Sequence, residues 1–100
     1  MVDAVLETGD QGHWRLSGEL GFGTVSGILK DSRAGLSDGD DIEVDLSGVT
    51  RADSAGLALL VEWLRAAERT GRSISFVNMP AQMQSIARIC GLDDILELSG

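Results

Sequence analysis

Val44-Asp45-Leu46-Ser47-Gly48-Val49-Thr50-Arg51-Ala52-Asp53-Ser54-Ala55-Gly56-Leu57 is the stretch on which the fold turns. At its upstream end, Ile42-Glu43-Val44-Asp45-Leu46 alternates apolar and acidic residues, the period of a central strand with one wet face. Downstream, Leu57, Leu60, Val61, Leu64 and Ala67 gather on one side of a helix when placed at about 100° per residue. Asp53 or Ser54 can accept hydrogen bonds from the free N–H groups of the first turn, so this helix starts directly behind the strand. Ala55 and Gly56 are small enough to let another backbone approach closely. Ser-Ala-Gly is a poor helix start by propensity, and an ordinary cap alone does not explain it.

Working outward, the same rules divide the rest of the chain. Val2–Glu7 and His13–Ser17 read as two short strands joined by the turn Gly9-Asp10-Gln11-Gly12. A first helix is expected from Phe22 to about Arg33, with Val25, Ile28 and Leu29 at helical spacing, followed by a polar turn at Ser37–Asp41. The second helix ends at Thr70-Gly71, and its exposed side offers Arg65–Glu68 and Glu68–Arg72 pairings. Ser73–Val77 returns as a strand, and Pro80 suits the start of a third helix. Met83, Ile86, Ala87 and Cys90 form the buried stripe of that helix, Gly91 its cap, and Ile95–Leu98 a last short strand. Alternating strands and helices after an opening hairpin predict an α/β domain over residues 1–100. Its sheet is mixed and mainly parallel, with 4–5 strands and helices packed beside it.

Composition narrows the function. The chain has 100 residues, 43% of them hydrophobic, which suits one domain with one core. Acidic residues outnumber basic ones 16 to 8, and a formal charge of -8 repels phosphate backbones, so nucleic acid is disfavoured as a partner. The single cysteine cannot form an internal disulfide, the single histidine cannot build a zinc site alone, and catalysis resting on a Cys/His or Ser/His pair has almost no parts to use. The longest apolar-and-glycine stretch, Ala55–Val61, stops at Glu62, far short of the roughly 20 residues of a membrane span. The N-terminus acquires acids at once and does not read as a signal peptide, so a reduced cytoplasmic setting is expected.

Few residues could carry chemistry. Gly21-Phe22-Gly23-Thr24-Val25-Ser26-Gly27 looks like a phosphate cradle but lacks G-x-G-x-x-G spacing, and reads as a flexible entry into the first helix. Asp38, Asp40, Asp41, Glu43 and Asp45 lack the spacing of a calcium loop and read as a solvated turn and strand face. His13 is expected on the surface and Cys90 in the core. No cofactor and no metal is expected. Leu59, Trp63 and Ala66 lie on a flank of the second helix beside its core stripe. That flank is covered either by a neighbouring helix or by a protein partner, for which tryptophan is a favoured anchor.

Val44-Asp45-Leu46-Ser47-Gly48-Val49 with Asp53-Ser54-Ala55-Gly56-Leu57 resembles the signature of the STAS-domain family, and Leu16–Leu20 and Met83–Leu92 extend the likeness along nearly the whole chain. The family includes anti-sigma factor antagonists, in which the helix typically begins Asp-Ser-Ser-Gly and the second serine is phosphorylated. Ala55 stands at that position here and leaves Ser54 as the hydroxyl. Leu20-x-Phe22-x-Thr24-Val25 and Ala52–Leu60 resemble more closely the MlaB-type branch, the small STAS subunit of phospholipid ABC transporters of Gram-negative bacteria. This second resemblance implies a non-enzymatic subunit that binds the transporter ATPase, in a complex with a permease and a periplasmic lipid-binding protein, maintaining outer-membrane lipid asymmetry. It implies Ser54 and the start of the second helix as part of the contact surface, on the cytoplasmic side of the inner membrane; together with the apolar flank, the expected partner-binding residues are Asp53, Ser54, Ala55, Gly56, Leu59 and Trp63. The first implies instead an anti-sigma factor antagonist switched by phosphorylation of Ser54. A third possibility, a small nucleotide or lipid binder, rests on the Gly21–Gly27 segment alone.

Overall fold

The computed structural model describes residues 4–36 and 41–96, apart from the side chains of residues 10 and 34. Its elements run β1 (Ala4–Thr8), β2 (His13–Leu20), α1 (Phe22–Leu36), β3 (Ile42–Ala52), α2 (Ser54–Arg69), β4 (Ile74–Val77) and α3 (Ala81–Ile89). The sheet order is β1-β2-β3-β4. β1 and β2 are an antiparallel hairpin closed by the tight turn Asp10–Gly12, while β3 runs parallel to both β2 and β4. Strand order advances in one direction from β2 to β4. Two right-handed crossovers therefore place α1 and α2 on the same side of the sheet.

One face of the sheet is accordingly buried and the other open. Trp14 and Leu16 of β2 and Ile42, Val44 and Leu46 of β3 point into the core, where Ile28, Leu57, Leu60, Trp63, Met83 and Ala87 of the helices meet them. His13, Arg15 and Glu43 lie exposed on the opposite face. There the Ser47 backbone N–H (2.9 Å) holds the Asp45 carboxyl below its ordinary range, helped by the Ser47 hydroxyl and the Asn78 amide.

β3 runs on past Leu46, where its alternation stops, to Ala52. Register shifts against β2 insert an extra residue between Asp45 and Gly48 and another between Val49 and Arg51. Each bulge lengthens the step between inward residues from two to three, so Leu46, Val49 and Ala52 still reach the core. α1 likewise continues to Leu36.

α2 lies between α1 and α3 and over the sheet, so it buries more than one stripe. Leu57, Leu59, Leu60 and Trp63 are each at most 1% exposed, and burial of each such side chain contributes about 1.5–3 kcal/mol. α2 and α3 end alike. Gly71 and Gly91 take left-handed backbone at φ 72°, and the N–H groups of Arg72 and Leu92 return to the carbonyls of Ala67 and Ala87. On the outer side of α2, Arg65 meets Glu62 at 3.6 Å rather than Glu68.

Two expectations near the C-terminus need correction. Cys90 is exposed, because α3 stops at Ile89 and the chain turns away at Gly91, taking position 90 off the buried stripe. Ile95 and Leu96 lie in a turn, with the Leu96 N–H donating to the Leu92 carbonyl, and not in a strand; Glu97 and Leu98 fall outside the described residues. Asp38 and Asp40 of the acidic run also lie outside them.

Candidate functional site

β2 and β3 end side by side, with Leu20 in register with Ala52, and each strand feeds a helix at once. The starts of α1 and α2 are thus brought together at the carboxyl edge of adjacent parallel strands, the usual position of binding sites in such sheets. The join is specific. The Asp53 N–H donates to the Leu20 carbonyl at 3.0 Å, tying the α2 cap to the end of β2. A Cβ on Gly21 would lie 3.0 Å from Asp53 Oδ2, so glycine leaves room there for the carboxylate.

Asp53 is the N-cap. Its Oδ1 accepts from the Ala55 N–H at 2.8 Å and the Gly56 N–H at 3.4 Å, satisfying two orphan donors at the positive end of the α2 dipole. This leaves Ser54 at the first helical position, exposed, with its hydroxyl not used as the cap. Across the join, Thr24 Oγ1 donates to the Glu19 carbonyl (2.8 Å) and accepts from the Gly21 N–H (3.1 Å), fixing the entry to α1. Glu19, Gly21, Phe22, Gly23, Thr24 and Asp53 line a shallow depression between the two helix starts.

Phe22 projects from its rim at 85% exposure. Covering such a ring gains about 1.5–3 kcal/mol, and a protein partner could supply that cover. Phe22 is not among the contact residues expected from the sequence, although it stands in the motif Leu20-x-Phe22-x-Thr24-Val25. It stands three before Val25 and so reads as a continuation of the α1 core stripe. The signal available was its place between two glycines, at a helix start rather than within one.

The six residues expected to contact a partner separate by helical phase. Asp53 and Ser54 are exposed, Ala55 is half-buried, and Ala58 continues the same outward line. Gly56, Leu59 and Trp63 point inward, which corrects the expectation for them. A Cβ on Gly56 would lie 2.9 Å from Leu20 Cβ and 3.2 Å from Ala52 Cβ, so the backbone that approaches there is the chain's own. Leu59 (1% exposed) and Trp63 (0%) pack in the core. Trp63 meets Trp14 edge-on at 5.5 Å, and its Nε1–H donates to Ser32 Oγ of α1 at 2.8 Å. The apolar flank of α2 is the surface that α1 covers.

The remaining candidates do not assemble into chemistry. Gly23 and Gly27 sit inside α1, not in a loop wrapped round an anion. His13 is exposed, with Nδ1 3.7 Å from Glu43 Oε1. Among the described residues no group of His, Cys, Asp and Glu could hold a metal ion, and no helix is long and apolar enough to cross a membrane. An open groove between α1 and α2 is lined in part by Leu29, Leu36 and Ala66, with Arg33 and Arg69 beside them. Each arginine stands in the last turn of its helix, where it complements the dipole.

The chain is similar to known proteins over most of its length. Residues 4–97 match the family model described as "Mlab, STAS domain". The intermembrane phospholipid transport system binding protein MlaB of Haemophilus influenzae is 31% identical over 83 residues, 79% of each chain. An anti-sigma factor antagonist from Mycobacterium paratuberculosis superposes with a TM-score of 0.74 at 21% identity, covering 95% of this chain and 82% of that one. The anti-sigma factor antagonist SpoIIAA, in its unphosphorylated form, gives 0.71 at 17% identity, covering 97% and 99%. Below 25% identity these two likenesses speak for the fold alone. With its bulged parallel strands, its capped α2 and a family match along nearly its whole length, the chain belongs to the MlaB-type STAS-domain family.

Proposed function

We propose that this domain is a non-enzymatic subunit that binds the ATPase of a phospholipid ABC transporter, through the surface formed by the starts of α1 and α2. The observation that carries this reading is the exposed Phe22 at the start of α1 and the exposed Ser54 at the start of α2, two helix starts joined by the bond from the Asp53 N–H to the Leu20 carbonyl. Phe22 is the apolar anchor, Ser54 and Ala55 supply small close-approach contacts, and Asp53 holds the α2 start in place. Glu19 and Asp53 at the rim favour a partner surface with basic residues. The MlaB-type relative supports the transport setting. In that setting the ATPase joins a permease and a periplasmic lipid-binding protein, and the domain sits on the cytoplasmic side of the inner membrane, contributing to outer-membrane lipid asymmetry.

Co-purification with the ATPase of a phospholipid ABC transporter from the same organism tests the reading. Wild type is expected to be retained, while Phe22→Asp and Ser54→Arg are lost yet remain folded. Retention of both variants at the wild-type level contradicts it.

The exposed Ser54 hydroxyl favours one second reading, an anti-sigma factor antagonist phosphorylated there. A phosphate on Ser54 gains from the α2 dipole, but the Asp53 carboxylate already accepts from Ala55 and Gly56 and would repel it. Intact mass after incubation with a cognate kinase decides, since an unchanged mass removes the switch.

A further inference from the structure

β4 pairs with β3 only from Ile42 to Asp45, so among the described residues no strand pairs with the last part of β3 on that side. Its final residue is nonetheless hydrogen-bonded there. The Asp53 N–H turns toward β2, and Ala52 therefore turns its N–H and C=O the other way, as alternate residues of a strand do. Both groups meet one side chain of α3. The Ala52 N–H donates to Gln82 Oε1 at 3.0 Å, and Gln82 Nε2 donates to the Ala52 carbonyl at 2.7 Å.

A primary amide carries the same donor and acceptor as a peptide group, so Gln82 stands in for one residue of a missing strand. α3 is itself anchored at the next residue, with Met83 fully buried. Ala52 is the residue immediately before the α2 cap, and its Cβ, with that of Leu20, packs close to Gly56.

We infer that Gln82 is a positioning residue for the partner surface: its amide clamps the end of β3 and thereby sets the direction in which Asp53 and Ser54 leave the sheet. The inference rests on the proposed ATPase-binding role only for what that surface does. Asparagine is one methylene too short to make both bonds. Glutamate keeps the acceptor but turns a second oxygen toward the Ala52 carbonyl. Glutamine alone among the three closes both bonds.

Hydrogen exchange of the whole chain, combined with ATPase titration, tests this on Gln82→Ala and Gln82→Glu. In Gln82→Ala, exchange at Ala52, Ala55 and Gly56 is expected to quicken about tenfold, the worth of one net hydrogen bond, and in Gln82→Glu, which keeps the acceptor for the Ala52 N–H, by less; Leu60 and Trp63 change less than these three amides in both. The dissociation constant for the ATPase is expected to rise by a similar factor, while the urea midpoint falls by no more than one net hydrogen bond accounts for. Unchanged exchange at the three amides, or equal acceleration along all of α2, overturns the clamp. Wild-type affinity in a variant with the local acceleration overturns its bearing on the partner. If wild type itself binds no ATPase, the proposed function fails, and the exchange result still decides whether Gln82 positions the cap.

Discussion

Ser32→Ala is a small change placed where the α1–α2 contact is most exacting. Ser32 is 0% exposed, and its hydroxyl donates to the Leu29 carbonyl at 2.7 Å while accepting the Trp63 Nε1–H at 2.8 Å. Alanine removes one oxygen and almost no volume. The Leu29 carbonyl loses a second, optional partner, but the indole N–H loses its acceptor, and Trp63 is fully buried, so water does not replace it. Leaving a buried donor unmet costs about 1–3 kcal/mol. For a domain of this size each kcal/mol moves the thermal midpoint by roughly 4–8 °C, so a mid-range loss lowers it by roughly 8–16 °C. Urea unfolding followed by tryptophan fluorescence reads this directly, because both tryptophans are buried. ATPase binding measured well below the new midpoint should be unchanged. A stability loss under about 0.5 kcal/mol, the range of ordinary surface substitutions, refutes the buried bond. A loss of ATPase binding without a loss of stability refutes the placement of Trp63 in the core.

Other substitutions separate surface from core in the same assays. Phe22→Ala should leave stability within about 0.5 kcal/mol, as an exposed position allows, while weakening ATPase binding by titration at least about tenfold. Asp53→Ala removes the cap of α2 and should cost about 1 kcal/mol in urea unfolding, with weaker binding alongside. Gly56→Ala should destabilise by about 1–3 kcal/mol despite the better helix propensity of alanine, because its methyl meets Leu20 and Ala52. Asp45 has a folded-state pKa below its ordinary 3.8, so its contribution is present above that value and is lost as pH falls through the depressed one. Acid titration of Asp45→Asn should show a shallower decline of stability on the acid side than wild type.

The architecture was legible where a single period held. Leu57 to Ala67 kept helical spacing, and Ile42 to Leu46 kept strand alternation. The end of β3 was not legible, because two bulges change the inward step from two to three and make Ser47–Arg51 look like a loop. The start of α2 stands out in the sequence by its small residues directly behind a strand. Which way its residues face was not legible, since Leu59 and Trp63 are apolar on both the surface reading and the core reading. Only the position of α1 distinguishes the two, and that depends on crossover geometry rather than on α2 itself. Gly56 shows the same limit: smallness signals close approach without saying to what. The Gln82 clamp joins residues thirty apart through one side-chain amide, and no periodic pattern carries that information.

Site-specific photo-crosslinking in the assembled transporter locates the partner. A photoreactive side chain at position 22 or 58, beside the starts of α1 and α2, should crosslink to the ATPase. The same group at position 15 or 43, on the open face of the sheet, should give no such product. Crosslinks to the ATPase from positions 15 and 43, with none from 22 and 58, would contradict the assignment of the binding surface.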